Sequence, residues 1–366
     1  MTLSARHLLR RSGTRCRFRS PRSICANAGR VSLGSGAAAE TLTRRYCDRV
    51  ETNNFRPIVA IGDADMDIFL RVERLPRHDE KIVALAHHHC PGGMAANFAS
   101  AVAMLGTPSA FMGLVGDDAF GRATLADMES RGVDTRSVRV KAGEETFFCV
   151  GLLDQSGEKA LILAPTTTMS PAPADLDLDA IAGAWLIHLT AHNLATALAA
   201  AHHASMHDVL VSVDLELSGI APEDPRFDLL FTLIDILFVN EHTLCALLGR
   251  ERSLAESARL VQRRGPSTVV VTRGARGALV AHGDEPIVHV PGFAVPVVDT
   301  TGAGDCFAAA FVHSRFRGET PSESLRFAVV AAALAVTDIG ARTALPTHSA
   351  VLAAMAAATN TSIPKN

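Results

Sequence analysis

Aromatic residues are scarce in this chain: one tryptophan and one tyrosine stand among 366 residues, and aromatics together make up 5%. The seven cysteines form no CxxC pair and no metal-type spacing. That excludes a disulfide scaffold and a structural zinc module, and leaves a reduced, intracellular protein as the expectation. No apolar run reaches the roughly 18–20 residues that a membrane span requires. The most hydrophobic stretch, Phe327–Val336, is too short for one and reads as a buried helix. The first 39 residues lack any acid and any lysine but hold eight arginines. They carry +8, so the overall −3 leaves about −11 on the remainder.

That Arg- and Ser-rich start fits a mitochondrial presequence, a disordered basic extension, or translation from an upstream start. A nucleic-acid arm fits less well, because the segment has almost no aromatics and the body is acidic. Residues 1–54 are therefore placed outside the fold as a basic, disordered extension. The expected location is cytoplasmic, or mitochondrial if the start is a genuine presequence. The rest of a chain that is 48% hydrophobic is ample for one large α/β domain, placed at 55–358 and followed by a short tail at 359–366. Neither nucleic acid nor a membrane is an expected partner.

From Pro57 onward, strand and helix patterns alternate. Short apolar strands are expected at Ile58–Gly62, Ser109–Val115, Trp185–Leu189, Val209–Val213, Ile236–Val239 and Thr268–Thr272. Helical patterns fall at 95–105, 120–131, 193–206, 240–248 and 254–264. Repeated βα units imply a mostly parallel central sheet with helices on both faces. The segments Asp67–Val72, Lys81–His87, Thr146–Leu153 and Lys159–Leu163 break that rhythm, the last two as a hairpin around Gln155–Glu158. They read as a small β lid projecting from the main domain.

The most informative stretch is 299–311. An apolar, β-branched approach at Phe293–Val298 predicts a strand, and Gly302, Ala303 and Gly304 supply three small residues for a sharp bend. A small-residue helix follows, from about Gly304 to near Arg317. Its open N–H groups and positive dipole end suit an anion. Asp305, in the first turn, is placed to take a proton from an attacking hydroxyl. Anion cradle plus base points to phosphoryl transfer. The bend is neither a Walker A loop, since no Gly-Lys-Ser/Thr follows, nor a dinucleotide fingerprint, since the third glycine is missing.

Upstream, Asp63, Asp65 and Asp67 alternate after the first strand, so two of them share a face. Carboxylates at a strand end accept hydrogen bonds from sugar hydroxyls, and ligands in such sheets bind beyond the carboxyl ends of the strands. Gly92 and Gly93 let backbone approach a ligand, and Asn97 follows one helical turn later with donor and acceptor capacity. His87–His89 alternate along a strand, and His203 and His207 lack a third ligand, so both groups read as ordinary histidines.

Two motifs carry a specific likeness. Val298–Phe307, VDTTGAGDCF, resembles the C-terminal signature of the ribokinase-like (PfkB) carbohydrate kinases, and Gly92–Gly106, GGMAANFASAVAMLG, resembles their N-terminal signature. The resemblance spans roughly Arg56 to Ala357. It implies a ribokinase-like fold with a β lid near 63–91 and 138–164, and ATP with Mg²⁺ as cofactors. It implies phosphorylation of a hydroxyl on a small sugar (pentose, hexose or sugar acid), with Asp305 as general base and Gly302–Gly304 as anion hole. By the same likeness Asp65, Asp67, Gly92, Gly93 and Asn97 bind the acceptor, although Asp65 stands where Asn is commoner. Asn240, Thr272, Gly274 and Gly277 serve the nucleotide. The family's Asn-x-x-Glu becomes Asn240–Thr243 here, which leaves Glu241 to assist magnesium through water. Asp299 and Thr301, with backbone near 338–344, overlay a monovalent-cation site, for which potassium is implied. Lid strands of this family commonly pair between subunits, so a homodimer is implied. The absence of a Lys/Arg cluster around 63–97 argues against a phosphorylated acceptor. A nucleoside kinase of the same fold is the alternative, as is a catalytically weak member acting as a binding protein.

Overall fold

Strands such as Ile58–Ile61 and Thr268–Thr272 are buried at nearly every position, the pattern of a strand covered on both faces. The computed structural model describes residues 56–155, 159–217 and 220–361. The proposed extension at 1–54 and the hairpin turn at 156–158 lie outside the described residues. The elements run β1 (Ile58–Ile61), β2 (Asp65–Arg71), β3 (Ala86–Gly92), α1 (Met94–Met104), β4 (Ser109–Met112), β5 (Leu114–Gly116), α2 (Ala119–Ser130), β6 (Arg139–Lys141), β7 (Phe148–Leu153) and β8 (Lys159–Ala164). They continue with α3 (Leu178–Gly183), β9 (Leu186–Thr190), α4 (Leu194–Met206), β10 (Leu210–Leu215), α5 (Arg226–Leu233), β11 (Ile236–Asn240), α6 (Glu241–Leu248), α7 (Leu254–Gln262), β12 (Thr268–Thr272), β13 (Ala278–His282), β14 (Val288–Val290), α8 (Ala303–Phe316), α9 (Pro321–Ala335) and α10 (His348–Thr361).

Eight strands form the main sheet in the order β14-β13-β12-β11-β10-β9-β1-β4. All neighbours are parallel except β12–β13 and β13–β14 at one edge. Alternate residues feed two cores. Val59, Ile61, Ile187, Leu189, Val211 and Val213 pack against α4, α5 and α7. On the opposite face His188 stacks on Phe98 of α1 at 3.6 Å, while Phe238 meets Phe311 of α8 edge-on at 5.6 Å. Helices α1 and α8 are rich in alanine, which lets their backbones approach closely, and both are buried for most of their length. The two motif helices therefore lie side by side beneath one sheet face.

A second sheet, β3-β2-β7-β8, stands apart from the first. Asp118 ties it to the body: it caps α2 through the Gly121 N–H at 2.8 Å and accepts from the Thr146 hydroxyl at 2.6 Å. The β7–β8 pairing is the expected hairpin. Three expectations need correction. The strand placed at 81–87 lies five residues later, because residues 73–85 include Pro76 and several charges and form a loop, and pairing with β2 begins only at Ala86. Residues 139–141 do not join the lid but pair with β5. Phe293–Val298 is no strand: Pro296 cannot donate to a ladder, Val297 and Val298 are exposed, and the Val298 N–H bonds instead to the Val336 carbonyl at 2.8 Å. At the other end, α10 runs on to Thr361, past the expected boundary at 358. No helix among the described residues is long and apolar enough to cross a membrane.

Candidate active site

Where the lid faces the ends of β10 and β11, a cleft of about 680 Å³ opens. One wall is built by the β1–β2 junction, β2, β7 and α1. Asp63, the first of the three alternating acids, caps α1. Its carboxylate accepts from the Met94 N–H at 2.9 Å, the Ala95 N–H at 3.3 Å and the Thr190 hydroxyl at 3.1 Å. Gly93, at φ 92, sits against this cap. A Cβ there would lie 2.6 Å from the Ala64 Cα and 2.7 Å from the Asp63 carbonyl oxygen.

Asp65 and Asp67 sit within β2, two residues apart on one face, 5% and 7% exposed. Gly92 pairs with Asp65 across the strands and is what makes room for them. A side chain there would collide with Asp65 Oδ1 at 2.3 Å and Asp67 Oδ2 at 2.5 Å. Asp65 Oδ2 accepts from the Cys149 thiol at 3.5 Å, while its Oδ1 is buried without a hydrogen-bond partner. Burial, then the Asp67 and Asp63 charges, push Asp65 well above the ordinary carboxylate range. The same burial, with Asp65 beside it, pushes the Cys149 thiol up. Asp65, Asp67 and Cys149 each place one ligand atom within 4.8 Å of the others.

The opposite floor is the turn into α8. Gly302 is left-handed at φ 74 and serves as N-cap. The Ala303 N–H leans on the Thr300 carbonyl at 3.3 Å, and Gly302, Ala303, Gly304 and Asp305 all line the cleft. Asp305, in the first turn, is 8% exposed, and one of its oxygens accepts from Nδ2 of Asn97 at 2.8 Å. Burial raises its proton affinity well above normal; Asn97 opposes that, and Asp214, Asp63 and Glu216 add to it. The N-terminal and C-terminal motifs, 208 residues apart at this contact, thus meet in one hydrogen bond.

On the remaining side lie Asn240, Thr272, Asp214 and Glu216. Asn240 caps α6, its Oδ1 accepting from the Thr243 N–H at 2.7 Å. Asp214, crowded at the end of β10, is pushed up to about 7 by burial and then by Glu216. Glu241 is outside the cleft lining, its carboxylate taken by Arg276 and lying 3.5 Å from Arg273. Gly274 and Gly277 bound a short 3₁₀ turn after β12, also away from the lining. Asp299 clamps its own loop: Oδ1 accepts from the Thr301 N–H at 3.0 Å and hydroxyl at 2.7 Å, and Oδ2 from the Gly340 N–H at 3.0 Å. Of the histidines, His192 lines the cleft and the others named here take other places. His188 is buried in the sheet, and His203 bonds the Leu178 carbonyl at 3.1 Å.

Sequence reasoning missed four residues around the cleft. Asp214 and Glu216 alternate at the end of an expected strand, and the strand-end rule applied to them would have flagged both. Cys149 lies in an expected lid strand with no local signal. Arg342 falls in a segment expected to contribute only backbone, yet its side chain is 3% exposed and bonds Asn97 and Gly92. A buried arginine in a loop looks no different in sequence from a solvated one.

Comparison with known proteins gives this geometry its context. An ATP-dependent ribose-1-phosphate kinase from Halopiger xanaduensis is 34% identical over 296 residues, covering 81% of this chain and 97% of that protein. Ribokinase from Arabidopsis thaliana is 31% identical over 346 residues, covering 92% and 88%. The solved structure of Arabidopsis ribokinase with ribose and ATP superposes with a TM-score of 0.74 at 30% identity, over 82% of this chain and 98% of that one. A Ribokinase II from E. coli, solved with ATP and Mg²⁺, shares the fold at 22% identity and a TM-score of 0.74, over 83% of this chain and 100% of that one. The model of the pfkB family of carbohydrate kinases matches residues 56–348, so the chain belongs to that family.

Proposed function

We propose that this member of the ribokinase group of sugar and nucleoside kinases phosphorylates a hydroxyl of a free pentose, with ribose the first candidate. The observation that carries this reading is the cleft itself. Asp65, Asp67, Asn97 and Asp305 converge on one space whose lining contains no lysine or arginine among the described residues. Neutral hydroxyls suit such a wall, whereas a phosphomonoester would meet carboxylates with no cation to offset them. The ribokinase relative supports the same choice; the ribose-1-phosphate kinase relative supplies its rival.

In this reading Asp65 and Asp67 accept from the acceptor's hydroxyls, and the unpartnered Asp65 Oδ1 gains its donor when the sugar binds. Asp305 takes the proton of the attacking hydroxyl, and the amides at the start of α8 stabilise the charge spread over the transferring phosphoryl oxygens. The four-stranded sheet closes as a lid and keeps water out. Magnesium requires hard oxygen donors, and Asp214 and Glu216 supply them on the nucleotide side. They make good the carboxylate that Thr243 lacks, and Glu241 is otherwise engaged. When bound, the ion neutralises phosphate charge. The Asp299 clamp is where we place monovalent-cation sensitivity. The exposed Ile162 of β8, whose neighbours Leu161 and Leu163 line the cleft, is where we place a lid-mediated dimer.

The test is ATP-dependent phosphorylation of a panel of ribose, fructose, ribose-1-phosphate and nucleosides, with Asp305→Asn as control. Ribose giving the highest kcat/KM is the expected result. Preference for ribose-1-phosphate would overturn the free-sugar assignment. Repeating the assay in K⁺ and Na⁺, and measuring mass in solution, tests the cation and dimer placements.

A further inference from the structure

Between α9 and α10 the chain carries a buried arginine. The Arg342 guanidinium is fully engaged: Nε donates to Asn97 Oδ1 at 2.8 Å, Nη1 to Asp127 Oδ2 at 2.9 Å, and Nη2 to the Gly92 carbonyl. Arg342 is absent from the cleft lining, so it is no ligand for substrate. Two of its acceptors nevertheless belong to the acceptor wall. Gly92 clears the space for Asp65 and Asp67, and Asn97 donates to Asp305. The third, Asp127 of α2, is also held by Arg131 at 3.0 Å, which anchors the guanidinium to a helix outside the wall.

The two ends of a side-chain amide are hard to tell apart by shape, so its orientation must be decided by its partners. Here they decide it. A guanidinium has donors and no acceptor, so it must face the amide oxygen, and a carboxyl oxygen can accept from the amide nitrogen at the other end. With Arg342 on one side of Asn97 and Asp305 on the other, only one arrangement satisfies both. Oδ1 faces the arginine and Nδ2 faces the aspartate. Turned over, the amide would set N–H against N–H at one end and oxygen against oxygen at the other.

We infer that Arg342 is a positioning residue that locks the Asn97 amide so that its Nδ2 holds the Asp305 carboxylate in aim at the acceptor hydroxyl. The role rests on Asp305 being the base, as read above. A lysine would not replace it, since one ammonium on a flexible stem cannot serve three fixed acceptors.

The experiment is a double-mutant cycle on Arg342→Met and Asn97→Ala, with kcat expressed per nucleotide-binding molecule so that misfolded protein does not count. Arg342→Met is expected to lower kcat about 10–100-fold with KM for ATP changed less than about twofold. The double variant is expected to be no slower than Asn97→Ala, because the two residues act as a unit. Should Arg342→Met fail to fold, Arg342→Lys keeps the charge opposite Asp127 and enters the same cycle, with a smaller loss and the same non-additivity. Additive losses, or an unchanged kcat in the folded variant, overturn the positioning role. Asp305→Asn, run in parallel, separates the two ideas. Normal turnover there removes the base assignment, while a dead Asp305→Asn beside additive losses removes only the role of Arg342.

Discussion

The two walls of the cleft are built by different means. On the side proposed for the acceptor, buried carboxylates have named partners: Asp63 is held by the first amides of α1 and Asp305 by Asn97, which is itself held by Arg342. On the side proposed for the nucleotide, the lining is a glycine turn with Asn240, Thr272 and two carboxylates at the end of β10, and the ion pair of Glu241 with Arg276 lies beyond it. The first wall is organised before any ligand arrives. The second presents charge that a ligand and its cation must complete. Substitutions on the acceptor wall should therefore damage catalysis or acceptor binding, whereas those towards the nucleotide side should act mildly or through backbone shape.

The sharpest test of that contrast is Asp305→Asn. Loss of a general base lowers kcat by about 10²–10⁴, while ATP still binds because its wall is untouched. Calorimetric titration with ATP checks the second half. The native enzyme should show the matching pH dependence. Burial raises the Asp305 pKa, and the base works only when ionised. Activity therefore rises with pH through that raised value, about tenfold per unit on its acid side. A kcat/KM profile flat down to the ordinary carboxylate range would break the assignment.

Asp65→Asn comes next. Losing a charged acceptor raises KM for the sugar about 10–100-fold, with KM for ATP unchanged. It should also raise the melting temperature of the unliganded protein, because Asn cannot carry the buried charge that is crowded by Asp67 and Asp63. The sign of the pH effect follows. Asp65 binds its proton more tightly in the native state than in the unfolded chain, so native stability falls as pH rises from about 4 towards the raised value. The stabilisation by Asn should accordingly be larger at pH 8 than at pH 5. Equal melting curves at both values would show that Asp65 is not buried as a charge.

How much of this was legible in sequence follows the same divide. Strands buried on both faces, such as β1 and β12, announce themselves as apolar runs, and the Gly302–Asp305 turn as spacing. The shared face of Asp65 and Asp67 was legible as alternation, but the capping role of Asp63 was not. A helix cap differs from a ligand contact only in which amides come near. Phe293–Val298 misled because β-branched composition mimics a strand, whereas Pro296 within it cannot donate to the ladder it needs. Arg342 was illegible because its partners, Asn97 and Asp127, are 245 and 215 residues away. Such contacts exist only once the sheet has brought α1, α2 and the chain after α9 together.

Gly302→Ala probes the turn by shape alone. The position is left-handed, and a Cβ would lie 2.6 Å from the Ala341 Cβ and 2.9 Å from its Cα. Strain of about 1–3 kcal/mol is expected, to be read as a lowered melting temperature, with kcat reduced roughly tenfold as the α8 amides shift. If stability drops while kcat holds, the amides are not part of the phosphoryl site.

The smallest effect belongs to Glu241→Gln. Its carboxylate is committed to Arg276, whose side chain is 64% exposed, and such pairs contribute at most about 1 kcal/mol. Outside the cleft lining, it should change kcat and the Mg²⁺ requirement by less than about twofold, since water and salt screen what the pair supplies. Asp214→Asn, by contrast, should raise the Mg²⁺ concentration needed for half-maximal rate, because Asp214 lines the cleft beside Glu216, where the ion is proposed to bind. Measuring both variants across a magnesium titration decides between them. If Glu241→Gln shifts the titration and Asp214→Asn does not, the metal is organised from the start of α6, and the carboxylates at the end of β10 serve another purpose.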